Sequence, residues 1–167
     1  DLPQGEWLNG RVRWDGAAHS VGEGERLVLD QRHQIGTLVD ACNECGQCDV
    51  WCPEDGGPYL VKPNLFVSSR AFWEHPERDG FLMEPCGSLR WRRGDETLRW
   101  SPRPEGRALL ETPTGQVLLQ EDRPLSTQGE GELDLRLATT LRLFHAAFRR
   151  DAATLFLNDL GPIVECS

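Results

Sequence analysis

Four cysteines crowd into eleven residues of this 167-residue chain and constrain it more than any other feature: Cys42, Cys45, Cys48 and Cys52. Thiols packed this densely do not suit a conventional disulfide framework, and in an intracellular protein such clustering indicates metal binding. Glycine and proline are frequent over residues 41–60, which argues against a long regular element there. The segment is therefore predicted to be a loop that wraps around a bound group.

The spacing of the four cysteines indicates which group that is. The run C-x2-C-x2-C-x3-C, followed by Pro53, is the pattern of bacterial ferredoxins. Thiolates are soft, anionic ligands that neutralise the charge of iron, whereas a zinc site usually shows paired C-x2-C knuckles roughly a dozen residues apart. The sequence therefore predicts a [4Fe–4S] cluster bound by Cys42, Cys45, Cys48 and Cys52.

The fourth ligand stays open from the residues alone. In two-cluster ferredoxins the fourth cysteine of such a run binds the other cluster, and this chain has no second run. Either Cys52 closes the same cluster, or Cys86 or Cys166 supplies the fourth sulfur, or Cys52 serves a cluster whose other ligands lie outside the chain. The chain begins at Asp1 rather than at methionine, so we expect a processed protein or a piece of a longer one.

Charge and hydropathy argue against two kinds of partner. The formal net charge is −9, whereas nucleic-acid-binding proteins usually carry a basic face. No stretch approaches the ~20 apolar residues that span a bilayer, and no signal sequence is present. We therefore expect a cytoplasmic protein with neither a nucleic-acid partner nor a membrane span.

The hydrophobic patterns predict an α+β fold, in which a ferredoxin-like iron–sulfur cysteine loop is attached to a β-meander with a C-terminal helix. Three parts are expected: a β-rich N-terminal segment over 1–40, a ferredoxin-type [4Fe–4S] loop region over 41–80, and the meander plus the helix over 81–167.

Five short alternating runs predict the meander strands, at residues 81–83, 88–92, 97–100, 108–111 and 116–119. Residues 123–131 are predicted to be a polar linker. A helix is expected from Glu132 to about Arg150, because an apolar stripe repeats at helical spacing through Leu133, Leu137, Leu141, Phe144 and Phe148. A last strand is predicted over 154–157.

The motif extends beyond the cysteines, through residues 33–35 (HQI), 42–48 (CNECGQC), 52–59 (CPEDGGPY) and 62–66 (KPNLF). This arrangement resembles the C-terminal iron–sulfur region of proteins named selenate reductase subunits. These are glutamate-synthase-like flavoproteins related to the electron-input half of dihydropyrimidine dehydrogenase. Gln47 and Trp51 depart from the asparagine and phenylalanine that are usual in that family.

The resemblance implies a larger redox assembly. It implies an earlier cysteine run in the polypeptide, NAD(P)H oxidation at an FAD elsewhere, and partner domains or subunits such as a flavoprotein or a molybdenum hydroxylase. The chain itself shows no G-x-G-x-x-G fingerprint for a dinucleotide. Any flavin site is therefore expected in a partner region or subunit.

Two functions follow from these observations. The first is an electron-transfer module within a larger NAD(P)H-linked oxidoreductase, in which Trp51 and Tyr59 shield the cluster from water. The alternative is a structural interaction module whose zinc, or redox-silent cluster, only holds a loop in place. No catalytic residue is predicted, because the sequence shows neither a nucleophile–base arrangement nor an informative pair of carboxylates.

Overall fold

The computed structural model of the chain describes residues 2–7, 10–16, 18–32, 35–52 and 56–151. The strands are β1 (Gly5–Trp7), β2 (Gly10–Asp15), β3 (Ala18–Glu23), β4 (Leu27–Leu29), β5 (Thr37–Leu38), β6 (Asn64–Phe66), β7 (Gly80–Met83), β8 (Leu89–Arg93), β9 (Glu96–Arg103), β10 (Arg107–Glu111), β11 (Gly115–Gln120) and β12 (Arg123–Asp134). The α-helices are α1 (Pro58–Val61), α2 (Ser69–Glu74) and α3 (Leu135–Arg150), and three 3₁₀ turns occupy Val39–Ala41, Gln47–Val50 and Pro104–Gly106. No helix in the described part of the chain is long and apolar enough to cross a membrane.

Ten of these strands form one mixed sheet in the order β3-β2-β12-β11-β10-β9-β8-β7-β6-β5, while β1 and β4 pair with each other. Strands β5, β6 and β7 run parallel to one another, and the pairs from β7 through β12 to β3 are antiparallel. Parallel neighbours need a crossover connection. The residues between β5 and β6 include the cysteine run, so the predicted site lies on a crossover at one edge of the sheet.

The predicted fold class is wrong. We expected a small ferredoxin-like unit attached to a meander, but the chain forms a ten-stranded mixed sheet with a C-terminal helix. The main cause is β12, which lies where a polar linker was predicted. Its first half pairs with β11 and its second half with β2, so it joins the N-terminal strands to the meander.

The sequence of β12 is mostly polar, so it lacks the hydrophobic alternation that would predict a strand. Only Thr127 and Leu133 are buried among its twelve residues, all of which the structure describes. Gly129 lies at the change of partner with a φ of 74°, a left-handed conformation that favours glycine. A Cβ at this position would also approach the Thr114 carbonyl oxygen too closely.

The main core lies between the sheet and α3. The helix begins at Leu135 rather than at the predicted Glu132, because the Asp134 carboxylate caps it by accepting a 2.8 Å hydrogen bond from the Arg136 amide. Its buried side chains Leu135, Ala138, Leu141 and Phe148 pack with sheet residues that include Leu89, Leu110 and Val117. The strand predicted at 154–157 lies outside the described residues.

A second, smaller core supports the edge of the sheet that carries the cysteines. It joins Val39, Phe66, Phe72 and Leu82, with Phe66 and Phe72 in edge-to-face contact at 5.1 Å between ring centroids. The helix α2 belongs to this core, and Ser68 caps it through a 3.1 Å hydrogen bond from the Ala71 amide.

Candidate functional site

The four predicted cysteine ligands lie on one loop, which we call the cysteine loop (residues 42–52). It begins just after the carboxyl end of β5, where the Cys42 amide donates to the Val39 carbonyl at 3.1 Å. Its second half turns at Gln47–Val50, and the Cys52 amide donates to the Cys48 carbonyl at 3.0 Å. Gly46, with a φ of 74°, reverses the chain between these halves. The sequence thus folds locally into a curl that carries all four thiols.

The thiols of this loop are free and accessible. Cys42 and Cys52 are half-buried, while Cys45 and Cys48 are exposed. Within the described ranges, no three cysteine, histidine or acidic side chains lie close enough together to hold a single metal ion. The structure therefore places the four cysteines on one loop, but their side chains do not surround a single metal position.

The other candidate ligands lie elsewhere or outside the description. Cys86 lies between β7 and β8 and is disulfide-bonded, so it offers no free thiol in this structure. The guanidinium of Arg99 approaches its sulfur at 3.6 Å and also binds Glu84 at 2.7 Å. Cys166, and His33 beside the motif, lie outside the described residues.

Asp49 contacts the segment that follows the loop. An oxygen of its carboxylate occupies the position that a Cβ at Gly57 would fill. The negative charge of Asp49 raises the pKa of the Tyr59 hydroxyl, and burial and the charges of Cys48 and Cys42 raise it further. The Cys48 sulfur lies 4.0 Å from an Asp49 carboxylate oxygen. Tyr59, which was predicted only as a shield, therefore lies within electrostatic reach of Asp49 and of two predicted ligands.

Asp40 is a residue that the sequence analysis missed. Its carboxylate accepts hydrogen bonds from the Val67 amide at 2.8 Å and from the Ser68 hydroxyl at 2.5 Å. This contact joins the start of the cysteine loop to the start of α2. Because the partners are 27 and 28 residues apart, no local pattern could have indicated the contact.

Large apolar side chains are exposed around the cysteine loop. Trp51 is 87% exposed, Val50 is 77% exposed, and Leu60 on α1 is 68% exposed. We expected Trp51 to shield the cysteines, but its ring faces solvent. Large apolar side chains that are exposed on neighbouring segments typically mark an interaction surface when they form a contiguous patch.

Comparisons with known proteins relate part of the chain to an oxidoreductase. The chain is 42% identical over 58 residues to the protein named "Putative oxidoreductase YgfK" from Escherichia coli K12, and equally to its counterpart from E. coli O157:H7. The matched stretch covers 35% of this chain but only 6% of each relative. No known protein family and no solved structure matches the chain. The similarity supports a redox-related role for that stretch.

Proposed function

We propose that the cysteine loop holds a [4Fe–4S] cluster through Cys42, Cys45, Cys48 and Cys52, and that the chain is an electron-transfer module of a larger oxidoreductase. The observation that carries this proposal is the placement of four free thiols, in the spacing of an iron–sulfur run, on one curled loop.

The donor set fits such a cluster chemically. Iron–sulfur clusters are bound by cysteine thiolates, and in a cubane each thiolate binds a different iron, so the sulfurs surround the cluster rather than a single ion. Four free thiols spread over one loop suit this requirement. The left-handed turn at Gly46 also suits a loop that must curl around a bound group.

The surroundings of the loop suit electron exchange with a partner. Cys45 and Cys48 are exposed on the same short loop as Val50 and Trp51. A partner that covers these apolar side chains would exclude water and would approach the cluster closely. We propose that this partner is another domain or subunit of the redox enzyme, a flavoprotein or a molybdenum hydroxylase.

The resemblance and the relatives refine the context. The relatives carry an oxidoreductase name, and the matched stretch is a small part of each. We propose, with the selenate reductase family as the guide, that NAD(P)H is oxidised at an FAD in a partner region or subunit. Electrons then pass through the cluster of this chain, and this chain performs no bond-making chemistry.

Electron exchange with a flavin tests the proposal directly. The anaerobically purified protein is reduced with dithionite, desalted and mixed with oxidised FAD, while absorbance reports both the cluster and the flavin. We expect a brown protein that bleaches on reduction and then reduces the flavin. The variant Cys45→Ser, which removes one exposed thiol, should lack both changes. A colourless wild-type protein, or one whose absorbance dithionite does not change, would contradict the proposed function.

A further inference from the structure

The strand β3 forms one edge of the ten-stranded sheet, and no strand in the described part of the chain pairs with its outer side. All six of its residues are exposed. Proteins usually protect such an edge with lysine, proline, a bulge or a very short strand. The strand β3 contains neither lysine nor proline, and its six pairs with β2 continue without a bulge. The opposite edge strand, β5, has only two residues. The β3 edge is therefore the one that is long and unprotected.

The backbone groups that β3 presents to this edge belong to alternate residues. In an antiparallel pair, every second residue bonds to the neighbouring strand, and the residues between them direct their N–H and C=O groups away from it. The carbonyl oxygen of Gly22 faces β2, since it would lie 2.8 Å from a Cβ at Gly10. The residues that alternate with Gly22, which are His19, Val21 and Glu23, therefore direct their backbone groups to the open edge.

The side chains of these three residues share one face of the sheet, because side chains alternate along a strand. Val21 lies opposite Val12 of β2, which is fully buried in the main core, yet Val21 itself is 53% exposed. His19 and Glu23 have no ion-pair partner among the residues that the structure describes. A histidine and a carboxylate that flank a central valine at equal distances make β3 complementary to an antiparallel copy of itself.

We propose that two copies of the chain associate through β3, antiparallel about a two-fold axis at Val21. In this register His19 of each copy lies opposite Glu23 of the other, and the two Val21 side chains meet at the axis. All three outward residues are paired, so roughly six backbone hydrogen bonds form across the contact. A two-fold axis one residue away in either direction would leave one of the three outside the paired segment, with roughly four bonds.

Such a contact closes at two copies. Both copies use the same surface, so the interface is isologous, and the two-residue β5 is too short to continue the sheet at its other edge. The cysteine loop follows β5 and lies at that other edge. Association through β3 therefore leaves the loop accessible in both copies, and the inference does not depend on the proposed function.

Sedimentation equilibrium of the complete chain over a range of concentrations measures the mass and the dissociation constant. Val21→Lys brings two like charges together at the axis. Val28→Lys is the matched control, because Val28 is 52% exposed on β4. His19→Glu places two carboxylates opposite each other in both symmetric pairs, and the double variant His19→Glu with Glu23→His exchanges the two partners and restores the pair. Circular dichroism checks that every variant folds.

We expect the wild type to form a dimer with twice the mass of the chain. Val21→Lys and His19→Glu should each raise the dissociation constant about 10-fold, since opposed like charges destabilise strand pairing and act twice by symmetry. Val28→Lys should leave it unchanged, and the double variant should recover most of the loss. A wild type that is monomeric at every concentration, a dimer that Val21→Lys does not weaken, or a double variant without recovery would overturn the proposal.

Discussion

The cysteine loop and the sheet–helix body of the molecule are stabilised in different ways. None of residues 42–52, all of which the structure describes, is buried, and the loop consists of short turns. In the body, Leu89, Leu110 and Val117 have no exposed surface. Burial of apolar area is the dominant favourable contribution to folding, so the body has a stability of its own. The loop depends on a few polar contacts and on the group it is proposed to bind.

This difference shows how an exposed cysteine loop can be attached to a well-packed body. Contacts that join the cysteine loop to its surroundings include the ion pair of Glu44 with Arg78 and the approach of Asp49 to Gly57. Substitutions in the loop should therefore change cofactor content with little effect on the body. Substitutions in the body should change stability with little effect on the cofactor per folded molecule.

The largest expected effect is the loss of the cluster in Cys45→Ser. Cys45 is exposed, so its replacement removes a proposed ligand without removing a packing contact. We expect no bound cluster, together with an unchanged thermal unfolding midpoint of the apo protein. Iron and sulfide assays and circular dichroism measure the two properties.

The variant Cys86→Ser is the matched control for that experiment. Because Cys86 is disulfide-bonded, it should retain the cluster, although its stability is expected to fall. Loss of iron from Cys86→Ser in place of Cys45→Ser would reverse the assignment of ligands.

Within the body, Leu110→Ala should lower the free energy of unfolding by about 3 kcal/mol, because it leaves a cavity at a fully buried site. Denaturant unfolding of the apo protein measures this change. Leu60→Ala is the control beside the loop, and it should change stability by less than about 0.5 kcal/mol because Leu60 is largely exposed. Equal effects would show that the two regions do not differ in packing.

Substitution of Arg92 tests the second, smaller core, which supports the edge of the sheet that carries the cysteine loop. Its buried guanidinium donates to the carbonyl oxygens of Phe72 at 2.8 Å, His75 at 2.5 Å and Arg78 at 2.9 Å, and it lies 4.0 Å from the Phe72 ring. Arg92→Met should destabilise the protein by roughly 2–3 kcal/mol, because buried acceptors lose their donors. Arg92→Lys should restore little of the lost stability, because a lysine ammonium group lacks the planar, multi-donor geometry of the guanidinium. Full stability of either variant, measured by thermal denaturation, would contradict this role.

Gly57→Ala tests the contact between Asp49 of the cysteine loop and Gly57, which directly precedes α1. The backbone strain alone should cost about 1–3 kcal/mol, and the new methyl group would also displace Asp49. Gly16→Ala is the matched control, because Gly16 has a φ of 71° but open space around its Cβ position. Chelator assays should show faster iron loss for Gly57→Ala alone, whereas equal loss from both variants would argue against the contact.

The smallest expected effect is a pH dependence from His145 in the body. Burial lowers the pKa of His145, and the charge of Arg149 lowers it further against the opposing hydrogen bond to Gly87. Below about pH 6.5 this histidine therefore binds a proton in the unfolded chain that it does not bind in the folded chain. Stability should fall as pH drops below about 6.5, by at most about 1.4 kcal/mol per pH unit.

The variant His145→Gln isolates this contribution. It removes the titrating group while retaining an N–H donor for the Gly87 carbonyl. Unfolding measured between pH 7 and pH 5 should therefore depend less steeply on pH in the variant, although carboxylates elsewhere affect both proteins equally. An identical slope in the two proteins would contradict the prediction.

The sequence predicted elements whose side chains alternate or repeat, and it missed those held by distant contacts. The five meander runs overlap β7 to β11. Alternation exposes one face and buries the other in β10, as Ala108 and Leu110 show, whereas β7 is a short apolar run that is buried throughout. The strand β12 is polar, and β5 has only two residues, so neither carries a recognisable pattern. These strands determine the sheet order, which is why the fold class could not be predicted.

The candidate site likewise combines a feature that a local pattern predicts with features that depend on distant contacts. Cysteine spacing is a local property, so the sequence alone was enough to propose the four ligands, and their role as ligands stays a prediction. Asp40 bonds to Ser68 and Asp49 packs against Gly57, and no local pattern encodes these tertiary contacts.

The most direct test of the account is an anaerobic assay of iron, acid-labile sulfide and zinc on the purified wild-type chain, with EPR spectra before and after dithionite. We expect about four irons and four sulfides per chain, little zinc, and a signal that appears on reduction. Zinc without sulfide would contradict the electron-transfer proposal and would favour a structural metal module.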